Sequence, residues 1–156
     1  YHTGAAGLGI LLAATSIGAV GLARLSGRIG RLPRQGLGVV VAVLGWGLAI
    51  VLFGIAPGTI WLGVAFLAVA GAADMISMIL RNIIVQLTTP DELRGRMSAV
   101  NAMFVIGGPM LGQFESGVVA AVLSPELSVI SGGAACIVAT LVIAAKVPSL
   151  LKARLR

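Results

Sequence analysis

Charge is what this sequence has least of. Asp, Glu, Lys and Arg together make up 10% of the residues, where a water-soluble domain carries roughly 25%. At less than half of that share the chain cannot solvate itself as a globule. Cysteine is nearly absent as well: Cys136 stands alone in the apolar run from Ala134 to Ala145. That excludes a disulfide and a Cys-x-x-Cys metal site and leaves a small packing residue. The one histidine, His2, sits at the chain edge and receives no role. There is no His-Glu-x-x-His, no phosphate-binding loop and no Gly-x-Ser-x-Gly, and no Lys follows the glycine-rich segments. No catalytic residue, metal ligand or cofactor is therefore expected, and the chain does not read as an enzyme.

What the sequence does have is apolar length. Hydrophobic residues reach 58% and glycines number 22, and the mean hydropathy is +1.08. This is the composition of an all-α integral membrane protein, because glycine is tolerated in spanning helices and lets their backbones approach. A net charge of +6 and a pI near 11.2 would point to nucleic acid in a soluble protein. Here the basic residues lie between long apolar runs, so membrane orientation accounts for them; the bilayer is the expected partner and nucleic acid is not. The chain begins with Tyr1 rather than Met, from which a piece of a longer protein is expected.

Five runs are long enough to cross a hydrocarbon core of about 30 Å at 1.5 Å per residue. They cover residues 4–23, 36–55, 60–81, 98–123 and 127–145, with loops at 24–35 and 86–97 and a tail at 146–156, as one partial transmembrane domain. The first loop holds four arginines and no acid, and Gly27, Gly30 and Pro33 break its helix. The turns Ala56-Pro57-Gly58 and Ser124-Pro125-Glu126 hold no base. Ten of the eleven basic residues fall on the two loops and the tail, Arg81 being the exception. The positive-inside rule makes that side cytoplasmic, with the carboxyl terminus inside a plasma or bacterial inner membrane, and puts Trp61 at the outer interface. Ahead of the fourth span, Thr89 reads as an N-cap, Pro90 as the first helical residue, and Asp91 and Glu92 as the acidic first turn. Gly107-Gly108-Pro109 reads as a kink.

Two groups of residues are candidates for function. Asp74 and Arg81 are seven positions apart, so they share a helix face at roughly 10 Å. Counted from Trp61, Arg81 lies about 30 Å down, at the inner interface, and Asp74 about 20 Å down, inside the hydrocarbon. A carboxylate at that depth costs on the order of 2.5–3.5 kcal/mol unless it is protonated, paired or facing water. Asp74 therefore reads either as a structural partner of Arg81, or of an arginine elsewhere, or as a proton or substrate site. On the fourth span Asn101, Gly108, Gly112 and Glu115 share one face, a seam of small and polar residues that suits protein or water better than lipid. Glu115 lies about 26 Å from Ser98, near the outer boundary, where hydration alone would satisfy it. Gln113 falls on a different face.

The run Ala23 to Arg31, ARLSGRIGR, resembles the cytoplasmic loop signature of the major facilitator superfamily, G-x-x-x-D-R-x-G-R, in its weaker second-half copy. Arg28, Gly30 and Arg31 match; Ala23 replaces the first Gly and Gly27 stands in place of the Asp. The stretch Gln86 to Met97, with Pro90, Arg94, Gly95 and Arg96, is similar to the loop before the penultimate span in the branch that holds enterobactin-exporter and macrolide-efflux-like proteins. Gly108-Pro109-Met110-Leu111-Gly112 is similar to the kink of that branch. The resemblance implies helices eight to twelve of a twelve-helix fold. It further implies a secondary transporter whose halves rock around a central cavity, exporting a small amphiphile such as a drug or siderophore, usually against proton entry. A small-molecule substrate and the preceding helices of the same protein are then its partners, and Asp74 is the coupling candidate. A non-transporting membrane subunit or receptor segment is the alternative, and a soluble helical bundle a third, disfavoured because the helices lack polar faces.

Overall fold

A computed structural model of the chain describes residues 4–24, 26–29, 34–56 and 59–147. Gly30, Arg31, the turn at Pro57-Gly58 and the basic tail residues Lys152, Arg154 and Arg156 lie outside them. The elements are α1 (Gly4–Ala23), a one-turn α2 (Ser26–Ile29), α3 (Gln35–Ile55), α4 (Ile60–Thr88), α5 (Arg94–Val122) and α6 (Pro125–Lys146). A 3-10 turn, Asp91–Leu93, joins α4 to α5. No strand occurs among the described residues. Five of the helices are long and apolar enough to cross a membrane. The fold is all-α.

Local chemistry sets where the helices end. Nothing between Arg81 and Thr88 breaks α4, so it runs on to Thr88. There the Thr88 and Thr89 hydroxyls donate back to the carbonyls of Ile84 and Val85, each at 2.6 Å, the Val85 oxygen also accepting the Thr89 N–H at 3.2 Å, so both hydroxyls are engaged by the last turn of α4. Thr89 thus closes the helix behind it, and its expected role as N-cap of the next one is corrected. Pro90 is extended (ψ 148°) and makes no side-chain cap, which separates Thr89 from α5 by a full 3-10 turn. Ser124 does act as an N-cap: its Oγ accepts from the Leu127 N–H at 3.2 Å with Pro125 in the first turn, so α6 starts ahead of residue 127. α5 stays one helix through Pro109.

The helices pack as a row in the order α1, α4, α3, α6, α5. Glycine allows two of the crossings. At α1–α4, a Cβ on Gly18 would run into the Ala68 carbonyl oxygen, and one on Gly71 into that of Thr15. At α3–α6, a Cβ on Gly133 would lie 2.9 Å from the Gly47 oxygen and one on Gly47 3.1 Å from the Gly133 oxygen. Backbones this close gain dispersion contacts, the main attraction available to helices in lipid. The core between α1, α3 and α4 is made mostly of alanines with Leu11, Val40 and Leu80, of which Leu80 is wholly enclosed. α5 differs: it has no buried residue, and its main neighbours are α6 and the 3-10 turn. A single hydrogen bond, from Ser128 Oγ to the Ser116 carbonyl at 2.9 Å, ties α6 to α5. With α3 and α6 between them in the row, α4 and α5 face one another across a groove.

Candidate functional site

The face of α4 that packs is the stripe Ala70, Ala73, Ser77 and Leu80, all buried. One step around the helix lies the stripe Asp74, Met78, Arg81 and Asn82, at spacings of four, seven and eight, which is exposed and lines the groove. Opposite it, α5 contributes Ser98, Asn101, Phe104 and Pro109. The groove holds about 670 Å³. Its polar groups are a carboxylate, a guanidinium, two amides and a hydroxyl, set among apolar walls. A smaller recess of about 190 Å³ opens beside it, bounded by Asp74, Ser77 and Arg81 of α4 and by Val43 and Trp46 of α3.

Asp74 and Arg81 are brought to one cavity but not to one another. Arg81 Nε donates to the Ser77 carbonyl of its own helix at 3.4 Å, and among the described residues the only ion pair is Arg94 with Asp91, at 3.0 Å on the surface. The intrahelical partnership that their spacing allows is not formed. Asp74 makes no hydrogen bond or ion pair to any described residue.

The α5 seam is divided between two grooves. Asn101 lines the first with Asp74, whereas Gly108, Gly112 and Glu115 line a second, of about 640 Å³, with Trp46, Ser128, Gly133 and Cys136. Pro109 borders both. Gln113 lines this second groove too, so the different face it occupies on an ideal helix wheel does not remove it; the groove is wide enough to span both positions. Cys136 is half-buried in the wall, as well as being a small packing residue.

Three residues escaped the sequence reading. Trp46 borders the recess and the second groove, and its signal was there: an indole prefers an interface, and this one lies in mid-span. Ser77 and Ser128, 3% and 5% exposed, gave no signal, since a lone serine in an apolar run looks like any small residue. Of the loop residues, Arg28 lies exposed in the single turn of α2, and Arg94, Gly95 and Arg96 open α5 on the surface.

A row of five helices long and apolar enough to cross a membrane, with an acid and a base lining a groove between two of them, is the architecture of a multi-pass membrane protein. The chain belongs to the family described as transmembrane secretion effector, within the major facilitator superfamily, whose model matches residues 1–154. It is 34% identical over 129 residues to the enterobactin exporter EntS of Citrobacter koseri, covering 82% of this chain and 30% of that one. It is 33% identical over 133 residues to the proteins of the same name from Shigella flexneri and Escherichia coli O1:K1, covering 85% of this chain and 32% of theirs. The chain therefore spans about a third of the length of the curated relatives it matches. No solved structure matches it. Family and relatives are those of a membrane transporter, which is not a class of enzyme.

Proposed function

We propose that the chain forms part of a secondary exporter that moves a small amphiphile, siderophores being the first class to test, by alternating access coupled to proton entry. The observation that carries this reading is Asp74: a carboxylate within an apolar helix long enough to span a membrane, lining a groove between α4 and α5 and free of any described partner. A group that gains a proton on one side of the membrane and loses it on the other ties proton flow to the two states of the cavity. Asn82 and Asn101 supply donors and acceptors across the same space, and Phe104 and Met78 an apolar surface, a mixture suited to an amphiphile. The relatives' name supports a siderophore as cargo. Preceding helices of the same protein would close the cavity, since two halves build such a site. The basic loops and tail favour a cytoplasmic carboxyl terminus.

The test is Asp74→Asn in the full-length protein, reconstituted in vesicles with an imposed proton gradient. Gradient-driven efflux is expected to fall to the rate seen without a gradient. Efflux that still follows the gradient would remove Asp74 from coupling.

A further inference from the structure

Where α4 turns into α5 there is a further hollow, separate from the cavities above. It holds about 290 Å³ and is lined by Thr88, Thr89, Pro90, Leu93, Arg96, Met97 and Val100. Leu93, Met97 and Val100 present 48%, 43% and 47% of their surfaces, an apolar wall open along one side. The two threonine hydroxyls donate to the end of α4, so they have no proton left for a guest. Arg94 is held by Asp91 at 3.0 Å. Arg96, on the lip of the hollow, has no carboxylate partner among the described residues.

The position along the membrane normal matters as much. α4 has 29 residues, about 43 Å of helix, close to the 40–45 Å of a bilayer with both headgroup layers. With Trp61 at one interface, Thr88 reaches the headgroup layer of the other. α5 then turns back, and Val100 lies about 9 Å from the start of that helix toward the hydrocarbon. The hollow thus runs from a free cation at headgroup depth to an apolar wall at the start of the acyl layer. A peptide would find almost no backbone partner there, because the lining is apolar apart from engaged hydroxyls and one guanidinium. A single phospholipid matches both ends.

We propose that this elbow binds one anionic phospholipid, its phosphate on Arg96 and the upper part of one acyl chain along Leu93, Met97 and Val100. Such a lipid would brace α5, the long helix least held by its neighbours, against the end of α4. The site is independent of the transport reading: it requires only that the chain spans a bilayer.

Native mass spectrometry of the full-length protein, titrated with phosphatidylglycerol or phosphatidylcholine, tests it. Phosphatidylglycerol should be retained through detergent release, and phosphatidylcholine less well. Arg96→Gln should lower phosphatidylglycerol retention about fivefold, the weight of one basic residue at an anionic surface, while Arg96→Lys keeps most of it. Met97→Gln should weaken retention with Arg96 intact, and serves equally if Arg96→Gln fails to fold. Arg94→Gln should change it little. Four results overturn the site: equal retention in Arg96→Gln and the parent, equal retention of both lipids, displacement by inorganic phosphate alone, or no lipid bound because another segment of the chain fills the hollow.

Discussion

Asp74 and Arg81 line one groove from one helix, two turns apart, and Arg81 spends its Nε on the Ser77 carbonyl rather than on the carboxylate. Opposite charges placed this way act on whatever enters the groove more than on each other. Two separately available charges, one an acceptor and one a donor, are what a cavity needs to hold a polar guest without neutralising itself.

The first consequence is additivity. Substitutions at sites without a shared bond add within roughly 0.5 kcal/mol. Asp74→Asn, Arg81→Gln and the double variant of the full-length protein should therefore unfold, by thermal melts in detergent, with effects that sum. A coupling well above that value would mean that an ion pair forms in the intact protein.

Gly71 meets the Thr15 carbonyl where α1 crosses α4, and a methyl group has nowhere to go. Gly71→Ala should destabilise by about 1–3 kcal/mol, the range for overpacking a well-packed contact. Gly112→Ala, where a Cβ meets nothing within 4 Å, should stay within about 0.5 kcal/mol of the parent. Equal melting of the two variants would show that the α1–α4 crossing is looser than the approach of Gly71 to Thr15 implies.

Ser128 ties α6 to α5 through the Ser116 carbonyl at 2.9 Å. Ser128→Ala removes that bond, which in membrane bundles is worth about 0.6 kcal/mol on average. The expected loss of stability is small, but proteolysis at the ends of α5 should quicken visibly, because α5 has little else to hold it. An unchanged cleavage rate would shift the anchoring of α5 to other contacts.

Trp46 walls both the Asp74 recess and the second groove. Trp46→Ala should merge them, lowering substrate affinity in transport assays by about tenfold, equivalent to about 1.4 kcal/mol, while Trp46→Phe retains most of it. Loss of transport in both variants alike would instead assign Trp46 to the indole N–H.

Membrane class, helix type and the family were legible in the residue order, because apolar length and the scarcity of charge act locally: a run of about 20 apolar residues is stable across a bilayer as a helix and as little else. Helix ends were less legible. Thr89 sits between two helices and can serve either, and only the extended backbone at Pro90 decides that its hydroxyl closes α4. The site was legible in part, as separate stripes on α4 and α5. That Asp74 faces Asn101, that the α5 seam divides at Pro109, and that Trp46 stands between the Asp74 recess and the second groove are decided by the row α1, α4, α3, α6, α5. That row rests on contacts between residues far apart in sequence, where a glycine such as Gly71 or Gly133 lets one backbone touch another. The sequence by itself therefore determined what each helix is; the tertiary structure alone decided which helices meet, and so which charges share a cavity without pairing.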